Sequence, residues 1–165
     1  MTWALKSYWR KCLAVNTVRT RYFAARMNYM LTSSPSGIDH LNSAEFARTG
    51  LPFSEMVRVG ETLYLSGQMG TLAGTVTLIE GGMAAQARQA LRNIEHALEA
   101  QGYSLQHVVK CTVMLADMDD WPAFNIVYRE FFKAPYPARS AFGVTALALG
   151  GKLEIDVIAA TDKGA

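Results

Sequence analysis

Apolar residues recur at three- and four-residue steps along two stretches of this chain and alternate with polar ones, or run together, along five others. From Met83 onward the apolar positions are Ala87, Ala90, Leu91, Ile94, Ala97 and Leu98. That single stripe predicts an amphipathic helix. Gly81-Gly82 precede it, and Gly102 is placed to end it. A shorter stripe, Phe124, Val127, Tyr128 and Phe131, predicts a second helix. Trp121-Pro122 puts proline in its first turn, behind Asp117, Asp119 and Asp120 as turn and N-cap candidates. Glu55 to Val59 and Thr62 to Ser66 flank Gly60-Glu61 and read as a hairpin. His107 to Ala116 is a continuous β-favouring run, expected as a central strand buried on both sides. Arg139 to Val144 and Lys152 to Ala159 supply two more strands.

The order strand, strand, helix, strand, helix, strand, strand predicts an α+β domain, with both helices on one face of a mixed β-sheet. The other face has no helix of its own to cover it. An apolar sheet face left open in this way calls for a partner.

Residues 1–44 read differently from residues 45–165, which are taken as the folded domain. Lys6, Arg10, Lys11, Arg19, Arg21 and Arg26 all precede the first carboxylate, Asp39, with Trp3, Leu5, Tyr8, Trp9 and Leu13 interleaved. This is the composition of a mitochondrial transit peptide; the alternative is an over-long start, with Met27 or Met30 as the initiator. Thr32 to Gly37 is then a linker. A chain begun at Met30 is expected to stay soluble and melt cooperatively, a point that calorimetry checks. The location expected is cytoplasmic, or the mitochondrial matrix if the leader is a true transit peptide.

The formal charge of +2 conceals an asymmetry. Residues 1–48 hold seven Lys/Arg and two Asp/Glu, which leaves nine and twelve for the remainder, a net −3. A mildly acidic domain argues against nucleic acid as a partner. No apolar run approaches the roughly eighteen residues of a membrane span. Cys12 and Cys111 cannot make a disulfide framework, and Cys111 lies in the strand-like run as a buried thiol would. His40, His96 and His107 lack partners at ligand spacing, so no metal site is visible. Gly67, Gly70 and Gly74 lack the Lys-Ser/Thr of a phosphate loop and read as loop glycines.

The candidate chemistry lies near the end of the chain. Arg139 follows Tyr136-Pro137-Ala138, and Glu154 lies between Leu153 and Ile155. An Arg can grip a carboxylate bidentately, and a carboxylate can orient or deprotonate water, so the pair suits hydrolysis of a small acid. Taken alone, an Arg after a turn is more often a solvated charge, and a Glu inside an alternating strand usually lies on the wet face.

Pro137-Ala138-Arg139-Ser140, the spacing to Leu153-Glu154-Ile155, and the blocks Leu63 to Gln68, Ala85 to Ile94 and Val108 to Leu115 together resemble the Rid (YjgF) family of reactive intermediate deaminases. The resemblance runs in order from about Leu51 to Thr161. It implies the chorismate-mutase-like fold, three subunits closing a trimeric barrel around their open sheet faces, and clefts between subunits. It implies hydrolysis of enamine and imine intermediates, of the 2-iminobutanoate and 2-iminopropanoate type, to 2-oxo acids and ammonia, with no cofactor. Arg139 would hold the substrate carboxylate and Glu154 would position water, with Ser66, Phe53 and Ala141 lining the substrate site. Phe53 replaces a frequent tyrosine, Gly70 a common proline, and Ala141 a frequent cysteine or threonine. Rival readings are a ligand-binding or chaperone-like module on the same fold, a chorismate-mutase-like rearrangement, and an endoribonuclease. The last two lack the several converging cations that their substrates need.

Overall fold

The computed structural model describes residues 32–33 and 37–161. The basic leader lies outside the described residues, except for the short segments noted next. The seven strands are β1 (Thr32–Ser33), β2 (Ile38–Leu41), β3 (Met56–Val59), β4 (Thr62–Gln68), β5 (Val108–Leu115), β6 (Ala138–Gly143) and β7 (Leu153–Ala160). They form one sheet in the order β1-β2-β3-β4-β7-β5-β6. Only β5 and β6 pair in parallel, so the sheet is mixed. The helices are α1 (Ala44–Ala47), α2 (Gly82–Ala100) and α3 (Trp121–Phe131).

The expected hairpin is β3-β4, turning at Gly60 with φ 58°. A left-handed residue there suits glycine, which has no Cβ to clash. Helix α2 runs the length that its stripe predicts and buries Met83, Ala87, Ala90, Leu91, Ile94, Ala97 and Leu98. Gly102, at φ 79°, follows the helix end, and the Gly102 amide donates to the Glu99 carbonyl. In α3, Phe124, Val127 and Tyr128 are buried, and Pro122 occupies the first turn. Both helices lie against one face of the sheet, where Leu63, Leu65, Cys111, Val113, Leu115, Leu153, Ile155, Val157 and Ala159 complete the core. Each fully buried aliphatic side chain of this kind contributes about 1.5–3 kcal/mol.

Three expectations change. First, the sheet reaches upstream of residue 45. β2 pairs with β3, and Leu41 is fully buried in the core, so part of residues 1–44, set apart as leader and linker, belongs to the folded unit. The alternation that marks a strand is hidden there because Ile38-Asp39-His40-Leu41 is only four residues long. Second, β5 is central, paired to β6 and β7, but only its helix-side residues are buried; Lys110, Thr112 and Met114 on the other face stay partly exposed. Third, the glycines read as loop residues include two that permit close packing. Gly67 lies inside β4, and a Cβ at Gly70 would sit 2.6 Å from the Gln86 Cα of α2. The proline frequent at that position in the family has no room here.

Candidate functional site

Glu154 sits on the sheet face away from the helices, between the buried Leu153 and Ile155. Opposite it, β4 shifts register against β7 between Leu65 and Gln68. The irregularity brings the Gly67 backbone onto the Glu154 side chain. A methyl built at Gly67 would lie 2.7 Å from the Glu154 carboxyl carbon and closer still to its Oε1. Glycine here therefore sets where the carboxylate rests. Gly67→Ala should displace the Glu154 carboxylate more than it unfolds the chain, because the atoms met belong to a side chain and not to backbone. The expected result is a fall in kcat of tenfold or more with a small change in melting temperature, read by ammonia release and calorimetry.

Glu154 makes no ion pair or hydrogen bond among the described residues. Burial, and secondarily the nearby Asp156 carboxylate, raises its pKa above the ordinary glutamate value. A half-buried carboxylate whose proton affinity is raised this way suits proton transfer to and from water.

Glu154 and Gly67 lie at the wall of a cavity of about 640 Å³. The segment 45–55 forms another wall, with Phe53 half-exposed and its ring 5.4 Å from that of Phe46. The loop 69–76, the α2 residues Gln89, Asn93 and His96, and Ala148-Leu149 complete it. Asn93 holds the loop by donating from Nδ2 to the carbonyls of Met69, at 3.1 Å, and Thr71, at 3.0 Å. The carboxyl side chains in the lining are Glu45, which pairs with Arg48 at 3.5 Å, Glu55, which accepts from the Ser43 amide at 2.7 Å, and Glu154, and no Lys or Arg lines it.

Arg139 is elsewhere in the protomer. It pairs with Cys111 across β5-β6, and Cys111 pairs with Val157 of β7, so Arg139 lies two strands from Glu154 in the sheet order β6-β5-β7. Two strand spacings amount to about 10 Å. The two side chains also leave the sheet on opposite faces. Arg139 points to the helix side, its guanidinium 4.6 Å from the Trp121 ring centroid and 4.4 Å from that of Tyr128. Its Nη2 donates to Asn125 Oδ1 at 3.0 Å, while Nη1 is buried without a hydrogen-bond partner. Cation–π contacts orient the fork, and its hydrogen-bonding capacity is left partly unused.

The remaining expected site residues divide between these two places. Phe53 lines the cavity with Glu154. Ser66 is adjacent to Gly67, but its hydroxyl donates to the Ser54 carbonyl at 2.7 Å and so fastens the 53–55 segment to β4. Ala141 pairs with Val113 and packs against the core, on the Arg139 side of the sheet. Sequence reasoning passed over Asn125 and the ring cage of α3, which read only as a core stripe, and over Gly67 as a packing glycine. It also passed over Leu72, Val76 and Leu149, whose apolar side chains carry no motif. Among the described residues no three His, Cys, Asp or Glu side chains converge as a metal site.

A protein-family model described as "Endoribonuclease L-PSP" matches residues 45–161. The 2-iminobutanoate/2-iminopropanoate deaminase of Capra hircus is 45% identical over 108 residues, which cover 66% of this chain and 79% of the goat protein. The crystal structure of RidA from a Psychrobacter species has a TM-score of 0.65 at 43% identity, covering 67% of this chain and 89% of that one. The structure of E. coli TdcF with bound serine has a TM-score of 0.63 at 33% identity, covering 68% and 90%. With the family-model match over residues 45–161 and relatives at these identities, the chain belongs to the Rid (YjgF) family.

Proposed function

We propose that this protein hydrolyses reactive 2-imino acids, and the enamines in equilibrium with them, to 2-oxo acids and ammonia. The observation that carries the reading is Glu154: a half-buried carboxylate with raised proton affinity and no partner among the described residues, on the wall of a ligand-sized cavity. Glu154 takes a proton from water as the water oxygen bonds to the imine carbon. That proton is passed to nitrogen to give a carbinolamine; the carbinolamine hydroxyl proton is then carried by Glu154 to the same nitrogen, so that the C–N bond breaks and ammonia leaves as the C=O bond forms. The imine carbon is already electrophilic, so the residues need only position and deprotonate water, a contribution typically of about 10² to 10⁴ in rate. The name of the goat relative and the amino acid bound by the TdcF structure both accord with a small carboxylate ligand.

No Lys or Arg lines the cavity within one protomer, so a substrate carboxylate finds no cation there to hold it. We infer that a second copy of the chain brings Arg139 to it, and that the assembly is a homotrimer whose clefts lie between subunits. Tyr64, Phe142, Val59 and Ile38 on the sheet face away from the helices are exposed in the protomer, which supports burial of that face between copies. A cavity without Lys or Arg in its lining also disfavours a phosphate backbone, and with it the ribonuclease reading suggested by the family model's description. No helix among the described residues is long and apolar enough to cross a membrane. The location proposed is the cytoplasm, with the mitochondrial matrix as the alternative raised by the basic leader.

Ammonia release from freshly generated 2-iminobutanoate, above the spontaneous rate, tests the activity, and light scattering tests the assembly. A binding module without catalysis would bind 2-oxobutanoate and leave the ammonia rate unchanged. A monomer at micromolar concentration would remove the intersubunit cleft.

A further inference from the structure

The cavity is far larger than a four-carbon imino acid needs. At about 640 Å³ it falls within the roughly 300–1,000 Å³ of sites that enclose drug-sized ligands. Beside its polar residues, the wall carries six apolar side chains: Phe46, Leu51, Phe53, Leu72, Val76 and Leu149 all line it. Five of these six are large hydrophobic side chains left exposed in the protomer, with Leu149 at 55% and Leu72 at 50%. Exposed apolar residues scattered singly carry no message, but five gathered around one concave site containing a candidate water-activating carboxylate do.

Leu149 adds a second, independent observation. It has φ 61° and ψ 5°, and among the described residues no other non-glycine has positive φ. Glycine would occupy this conformation without strain, and a side chain kept there in spite of it marks a residue held for a purpose. Hydrogen bonds from the Gly150 amide to the Leu147 carbonyl and from the Gly151 amide to the Ala148 carbonyl fix the turn. The turn leads directly into Leu153-Glu154 of β7, so the Leu149 wall and the carboxylate share one rigid support.

We propose that this cavity takes 2-imino and 2-oxo acids with bulky apolar side chains, branched or aromatic, in preference to four-carbon ones, and that Leu149, Leu72 and Phe53 set the preference. The inference rests on the deaminase reading for turnover, but not for binding. Phe53 carries no hydroxyl, so its ring offers the ligand an apolar surface.

The test pairs turnover with binding. Imines generated freshly from leucine and from 2-aminobutanoate are compared by ammonia release, and 4-methyl-2-oxopentanoate and 2-oxobutanoate by calorimetric titration. The wild-type protein should favour the six-carbon acid in kcat/KM and in Kd. Leu149→Gly, which removes the side chain and relieves the backbone, should lower that six-carbon to four-carbon ratio about tenfold without lowering the melting temperature. Leu72→Ala should lower it in the same direction. A wild-type preference for the four-carbon acid, or a ratio unmoved by both variants, overturns the inference. That is also the result expected if a second copy fills the cavity. If neither imine yields ammonia above the spontaneous rate, the deaminase reading fails, and the two titrations still decide the binding preference.

Discussion

Arg139→Ala is expected to abolish deamination and to weaken binding of 2-oxobutanoate by two orders of magnitude or more. Charge-assisted hydrogen bonds contribute about 1.5–3 kcal/mol each, and a guanidinium can make two to one carboxylate. The structure adds a cost that the sequence does not reveal. Arg139 lies between the Trp121 and Tyr128 rings and donates to Asn125, so its removal also loses cation–π and packing contacts, on the order of 0.5–2 kcal/mol of stability. The melting temperature should therefore fall by a few degrees while the protein stays folded. Arg139→Lys separates the roles. A point charge restores attraction but not the planar fork that orients the imine carbon toward water, so weak binding should return with most turnover still lost. Wild-type deamination by Arg139→Ala would remove Arg139 from the site.

Glu154→Gln should leave 2-oxo acid binding largely intact and lower kcat by about 10² to 10⁴. Its pH behaviour is more diagnostic. In the wild type, kcat/KM should fall as pH drops through the Glu154 pKa, which burial and Asp156 place above the ordinary glutamate value. The Gln variant should lack that acid limb. The stability consequence has the opposite sign to that of a salt-bridged carboxylate. Because the folded state binds the Glu154 proton more tightly than the unfolded state, the group costs stability above its folded pKa and costs none below its unfolded pKa. Glu154→Gln should thus melt no lower than wild type at pH 7, and any advantage should vanish as pH falls through the window between the ordinary and the raised value. A variant with unchanged kcat and the same acid limb would exclude Glu154 as the base.

The two helices, the β3-β4 hairpin and the last three strands were legible because each buries one face, and burial of one face writes a period into the sequence. Leu91 and Ile94 in α2, or Leu153, Ile155 and Val157 in β7, carry that period plainly. Strand β2 was not legible: four residues with a single buried position, Leu41, are too short to display alternation. The site was legible only in part for a different reason. Arg139 and Glu154 stand in recognisable blocks, but sequence spacing does not tell which sheet face each occupies, and in the protomer they occupy opposite faces. The role of Gly67 was hidden because glycine's contribution there is the absence of an atom beside Glu154. The ring cage around Arg139 was hidden because Trp121, Phe124 and Tyr128 have the spacing of a core stripe and serve as one too.

The central claim is that Glu154 of one copy and Arg139 of another form a single hydrolytic site. Mixing the two inactive variants tests it most directly. Arg139→Ala and Glu154→Gln proteins are co-refolded in equal amounts and assayed for ammonia release from freshly generated 2-iminobutanoate. In a cyclic assembly each cleft draws one residue from each neighbour, so about one cleft in four receives both intact residues. The account predicts recovery of roughly a quarter of wild-type activity from two parents that have almost none. Activity no greater than the sum of the separate variants, in a mixture shown by mass to contain both chains in one assembly, would contradict it.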